Sequence, residues 1–124
     1  MVNDRACDAE SRIVYKILTR ADWEEALRAG RYGGSQDDVR DGFIHLSAPS
    51  QVAGTAARHF RGIEDLVLVA LDAERLGSAL KWEPSRGGAL FPHYYGPLPA
   101  DAALWSKPLP LGADGMPVLP AEVH

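Results

Sequence analysis

The sequence predicts an α+β fold: a small split or strongly bent β-sheet of about six strands with two helices. Three observations point there. The periodic segments run strand, helix, strand, helix and then four strands, whereas a doubly wound sheet alternates throughout. The helical period gives way to a two-residue period after Gly62. The chain has 124 residues, 46% hydrophobic and 24% charged, which suffices for one core but hardly for two.

Residues 1–11 are polar and predict a loose leader. Residues 12–110 predict a single globular domain. In Arg12 to Leu18, Ile13, Tyr15 and Ile17 share one strand face and Val14, Lys16 and Leu18 the other. Thr19 can cap a helix over Asp22 to Ala29, with Trp23, Ala26 and Leu27 as its apolar stripe and Gly30 as its stop. Arg31 to Arg40, with two adjacent glycines, reads as a loop.

Gly42 to Ser47 is a second strand, Ile44 and Leu46 on one face and Phe43, His45 and Ser47 on the other. Pro49 opens a helix running to Phe60, in which Val52, Ala56 and Phe60 recur every fourth residue. Leu66 to Leu71 is a continuous apolar run and predicts a strand buried on both faces. Asp72 caps one helical turn that ends at Gly77. Leu80 to Glu83, Leu90 to Tyr95 and Ala102 to Lys107 are the last strands, with turns at Pro84 to Gly88 and Gly96 to Pro99. Residues 111–124 read as a Pro/Gly-rich tail, extended or frayed.

Composition excludes several functions. Thirteen Lys and Arg against seventeen Asp and Glu give a net charge of −4, and the arginines are scattered, which argues against a nucleic-acid partner. Cys7 is the single cysteine, so neither an internal disulfide nor a cysteine-based zinc site can form. His45, His59 and His93 match no standard zinc spacing, and no metal is expected. No apolar run approaches membrane-spanning length, and the first residues lack an apolar signal core. A cytoplasmic location is expected, with no membrane partner.

The residues that could carry chemistry fall in three places. His45 lies mid-strand opposite Ile44 and Leu46, flanked on its own face by Phe43 and Ser47, an aromatic wall and a hydroxyl suited to a ligand. Phe91, His93 and Tyr95 share one face of a strand. Lys81 and Glu83 lie opposite Trp82, and Arg86 between Ser85 and two glycines could clamp an anion. The bland reading of each is a hydrogen-bonded histidine, a half-buried aromatic strand and a solvated edge. Convergence in one cleft is what would make a site of them.

Tyr15-Lys16-Ile17-Leu18, Asp41-Gly42-Phe43-Ile44-His45-Leu46-Ser47, His59-Phe60, Trp82-Glu83 and Phe91-Pro92-His93 through Tyr95-Gly96-Pro97-Leu98-Pro99 together resemble a bacterial domain-of-unknown-function family, number 952. The resemblance runs from about Val14 to Leu111 and covers nearly the whole folded part. The family looks like a compact member of the ADP-ribosyltransferase-like superfamily. This implies a split sheet with NAD in its central cleft. Phe43 to Ser47 also resembles the H-[VI]-H-L-S segment of RNA 2′-phosphotransferases, which implies a place for His45 beside the nicotinamide ribose. The chain departs from the superfamily pattern in two ways. Where the superfamily carries a His or Arg on its first strand, this chain reads Tyr15-Lys16-Ile17-Leu18, without either, and no suitable Glu follows Tyr95, which leaves Glu83 as the carboxylate.

Two readings follow. In the first, NAD or a related nucleotide binds in a cleft, with ADP-ribosyl transfer or NAD glycohydrolysis as the chemistry. His45, Glu83 and His93 are then the catalytic candidates, and Tyr15, Lys16, Ser47, Arg86 and Tyr95 the ligand-binding ones. In the second, the protein is a non-catalytic small-metabolite-binding or protein-interaction module.

Overall fold

The computed structural model describes residues 12–123, and of Arg86 the backbone alone. The N-terminal leader and Cys7 therefore lie outside the described residues. Alternating apolar residues set β1 at Ile13–Thr19. The Thr19 hydroxyl accepts the Asp22 N–H at 3.1 Å and starts α1 (Arg20–Ala29), which Gly30 closes at φ 84°. Next come β2 (Arg31–Tyr32), α2 (Gln36–Asp41), β3 (Ile44–His45) and α3 (Val52–His59), the last entered through a tight turn over Pro49–Gln51. β4 (Leu66–Asp72) leads into a single turn, α4 (Ala73–Leu76), where the Asp72 carboxylate accepts the Glu74 N–H. β5 (Leu80–Pro84), β6 (Leu90–Tyr94), β7 (Leu98–Pro99) and β8 (Ala103–Leu109) complete the elements.

The strands form three antiparallel sheets, ordered β1-β4-β8, β2-β7 and β3-β6-β5. β4 is central, and its sequence says why. Val67, Val69 and Leu71 enter one core with Val14, Leu18, Trp23, Ile44 and Leu46. Leu66, Leu68 and Ala70 enter a second with Tyr15, Ile17 and the α3 residues Val52 and Ala56. A strand covered on both faces must be apolar along its covered length, and Leu66 to Leu71 is, with half-buried Asp72 closing the strand. Tyr15 and Ser47 exchange backbone hydrogen bonds of 2.8 and 2.9 Å, which tie β1 to the segment after β3 and join the two larger sheets.

The α+β class stands, but the inventory is richer than expected. Among the described residues there are eight strands and four α-helices rather than about six and two. The stretch read as a loop, Arg31 to Arg40, holds β2 and most of α2. The helix is held by a capping box in which Ser35 Oγ accepts the Asp38 N–H and Asp38 Oδ2 accepts the Ser35 N–H. Gly96 to Pro99 contains β7, whose two residues pair with β2. The strand expected over Gly42 to Ser47 keeps regular pairing only at Ile44–His45. Leu27 is 55% exposed, because α1 turns only Trp23 and Ala26 inward. The C-terminal segment folds back instead of fraying. Leu111 bridges to Pro117, the Gly115 carbonyl accepts the Gly62 N–H at 2.8 Å, and Leu119 and Val123 pack on the second core. Apolar residues between the prolines give this segment something to bury.

Candidate functional site

β3 and β6 pair so that His45 stands directly opposite His93. Their rings lie 5.7 Å apart, edge to face, and the Phe43 ring packs against both, at 4.0 Å from His93 and 4.7 Å from His45. Each histidine has its own carboxylate. His93 Nδ1 is 2.7 Å from Glu83 Oε1, and the Tyr95 hydroxyl donates to the same oxygen at 2.8 Å. His45 Nδ1 is 2.6 Å from Asp38 Oδ1, and its Nε2 is 3.0 Å from Asp41 Oδ2. An ionised carboxylate only accepts, so in both rings Nδ1 carries a proton. The two rings then differ. His45 meets carboxylates through both nitrogens, whereas His93 Nε2 makes no hydrogen bond among the described residues. His93 therefore has a nitrogen left for a ligand, and Glu83 holds its tautomer and orientation.

Asp38 is the anchor of the site and only 2% exposed. Its carboxylate accepts from Lys16 Nζ at 3.0 Å, from the N–H groups of Ser35 and His45 at 2.8 and 3.1 Å, and from the His45 ring. Lys16 donates also to the His45 carbonyl at 3.0 Å, and its buried position pushes its pKa down against the pull of Asp38. Gly34 lets Asp38 come this close. It sits at φ 110°, and a Cβ there would lie 2.8 Å from the Asp38 Cβ. Gly34→Ala is expected to cost about 1–3 kcal/mol through this clash and the left-handed backbone. An unchanged urea midpoint would show that the loop moves aside without loss.

Burial alone would raise the Asp38 pKa. The His45 hydrogen bond, the Lys16 charge and the two backbone N–H groups reverse that and hold it well below the carboxylate range. A carboxyl with a depressed folded-state pKa contributes stability that is complete above its unfolded value of about 3.9 and drains away as pH falls toward the folded value. The urea midpoint is thus expected to fall below about pH 4 and to fall less steeply in Asp38→Asn. Parallel pH profiles of the two proteins would refute this origin.

A cavity of about 270 Å³ opens at the junction of the two larger sheets. His45 and His93 line it, as do Tyr15, Lys16 and Ser47. Glu83 and Tyr95 lie outside the lining, the carboxylate behind His93 and the tyrosine 39% exposed, so both reach the cavity only through His93. The Lys16 ammonium is spent on Asp38 and the His45 carbonyl, which makes it a support of the wall. The Arg86 side chain lies outside the description. Sequence reasoning missed Asp38, Asp41 and the packing role of Phe43. For Asp38 a signal existed: Ser35-Gln36-Asp37-Asp38 has capping-box spacing. Among the described residues no group of three or more His, Cys, Asp or Glu could hold a metal ion, and no helix is long and apolar enough to cross a membrane.

Fold and site define a small α+β domain with two carboxylate-bound histidines facing a cavity between sheets. The family model described as "Protein of unknown function (DUF952)" matches residues 17–106, and the chain belongs to that family. It is similar to protein CC0527 of Caulobacter crescentus, whose X-ray structure superposes with a TM-score of 0.84 at 54% identity, over 86% of this chain and 94% of that one. The solution NMR structure of the same protein gives a TM-score of 0.77 at 54% identity, over 86% and 91%. No match to a curated protein is found.

Proposed function

We propose that the cavity binds one nucleoside end of NAD or a related nucleotide and that His93 exchanges a proton with it, in ADP-ribosyl transfer or NAD glycohydrolysis. The observation that carries the reading is the His93–Glu83 pair, with Nδ1 fixed at 2.7 Å and Nε2 without a partner among the described residues. This is the arrangement of a general base whose orienting carboxylate sits behind it. NAD itself, and an ADP-ribosyltransferase-like relation between the sheets, come from the sequence resemblance and belong to the proposal.

The residues fit such a ligand in part. The cavity lies just below the roughly 300–1,000 Å³ that accommodates drug-sized molecules, so only one end of a dinucleotide would enter. Tyr15, Ser47 and His93 would hold that end. Bound NAD would supply a labile nicotinamide–ribose bond. His93 Nε2 would take the proton of the attacking hydroxyl, Glu83 would stabilise the resulting imidazolium, and Tyr95 would steady Glu83. His45, held between Asp38 and Asp41, would position rather than transfer protons. That same double hold favours the second reading, a non-catalytic binding module, since it removes one histidine from proton transfer.

Thermal unfolding with NAD, ADP-ribose and nicotinamide tests the proposal. A ligand at 100 times its dissociation constant is expected to add about 2.7 kcal/mol of stability. Nicotinamide release on prolonged incubation is expected with NAD. A stability gain without release selects the binding module. No gain with any of the three rejects the nucleotide reading.

A further inference from the structure

We infer that the cavity selects an uncharged, hydroxyl-bearing group of sugar or nucleoside size and that any phosphate on the ligand stays outside. This rests on the reading of the cavity as a ligand site and adds the chemistry that it recognises.

Charge is the first argument. Among the described residues, and besides histidines, the lining has two cations, Lys16 and Arg40, and two carboxylates, Asp37 and Asp38. Lys16 Nζ lies 3.0 Å from Asp38, and Arg40 lies 3.3 Å from Asp37 and 2.9 Å from Asp41. Both positive charges are already met. A phosphate would have to displace a carboxylate or lie beside one; at Lys16 and Asp38, 9% and 2% exposed, desolvation makes either costly, and at the exposed Arg40 the like charges of Asp37 and Asp41 oppose it.

Hydrogen-bonding capacity is the second argument. Ser35, Ser47, Thr55 and Ser85 bring hydroxyls to the lining. Ser47 Oγ and Thr55 Oγ1 lie 3.1 Å apart and share one hydrogen bond, so the pair keeps a further O–H donor and unused lone pairs. Ser47 is buried in the wall. In its neutral form His93, with Nδ1–H given to Glu83, presents Nε2 as an acceptor. A ligand hydroxyl satisfies that acceptor, whereas an ionised phosphate oxygen cannot. Phe60 and Phe91 supply apolar wall for the carbon face of a ring.

NMR or calorimetric titration of the full chain with two matched pairs tests this: D-ribose against ribose 5-phosphate, and adenosine against adenosine 5′-monophosphate. Saturable binding of an uncharged probe is expected, at least as tight as that of its phosphorylated partner. It should change by no more than about twofold between about 0.05 and 0.5 M salt, where a phosphate contribution would be screened. Ser47→Ala and Thr55→Val are each expected to weaken it about threefold to tenfold, the range for one lost neutral hydrogen bond. Thr55→Val keeps the test open should Ser47→Ala fail to fold. Phosphorylated probes binding tenfold tighter and losing that advantage in salt would overturn the inference. So would the absence of saturable binding by either uncharged probe, or unchanged affinity in the folded variants. Nicotinamide release is a separate readout. A chain that binds ribose and releases none keeps this inference and loses the proton-transfer reading.

Discussion

Asp38→Ala is expected to cost the fold about 3–5 kcal/mol, the loss typical of removing one partner of a buried ion pair. The variant takes the counter-charge from the Lys16 ammonium, whose side chain is only 9% exposed, and the acceptor from the N–H groups of Ser35 and His45 and from His45 Nδ1. It also removes half of the capping box of α2. Lys16→Met is expected to cost less. The thioether fills most of the space of the lysine stem, and Asp38 keeps three N–H partners. Urea unfolding followed by circular dichroism and tryptophan fluorescence measures both. An Asp38→Ala loss below about 1 kcal/mol would mean that water reaches Lys16 and that the cluster holds little together.

Under the proposed glycohydrolysis, His93→Gln is expected to lower nicotinamide release by about 10²–10⁴-fold, the usual contribution of a positioned acid or base. Glutamine is the informative replacement. Its amide can still donate to Glu83 and occupies a similar volume, but it cannot pass a proton at neutral pH. The unfolding midpoint should therefore move far less than the rate, and ribose affinity should survive better than turnover. Release at the wild-type rate by a folded His93→Gln protein would take His93 out of the chemistry.

Much of this was legible in the sequence where one element decides its own structure. Thr19 and Gly30 bracket α1 as their side-chain and backbone chemistry demands, and Leu66 to Leu71 announces a strand with two buried faces. The alternation of Ile44 and Leu46 with His45 and Ser47 turned the histidine toward the cavity face. What the sequence concealed depends on contacts between distant segments. Lys16 lies on the same strand face as Val14 and Leu18, where a lysine signals solvent. It is buried only because Asp38, 22 residues on, meets it there. β2 and β7 are two residues each, too short for any periodicity, and exist because they find one another. The fold-back of the C-terminal segment likewise depends on a surface that no local pattern encodes.

The brevity of β3 has a consequence for how the cavity can change. Two ladder residues cannot by themselves fix a register, so the alignment of His45 with His93 is imposed from outside. The Tyr15–Ser47 pair and the Leu46 N–H on the Pro92 carbonyl, at 3.0 Å, pin the chain just after His45, and the His45 N–H on Asp38 Oδ1, at 3.1 Å, pins the strand itself. Because a strand alternates its faces, a slip of one position would send His45 and Ser47 toward the core and turn Ile44 toward the cavity. A single-residue insertion or deletion between Gly42 and Ser47 would thus damage packing and ligand contacts together. Substitutions within this stretch could alter either face alone, so related proteins can vary the chemistry of the pocket by exchanging side chains while the length of the stretch stays fixed.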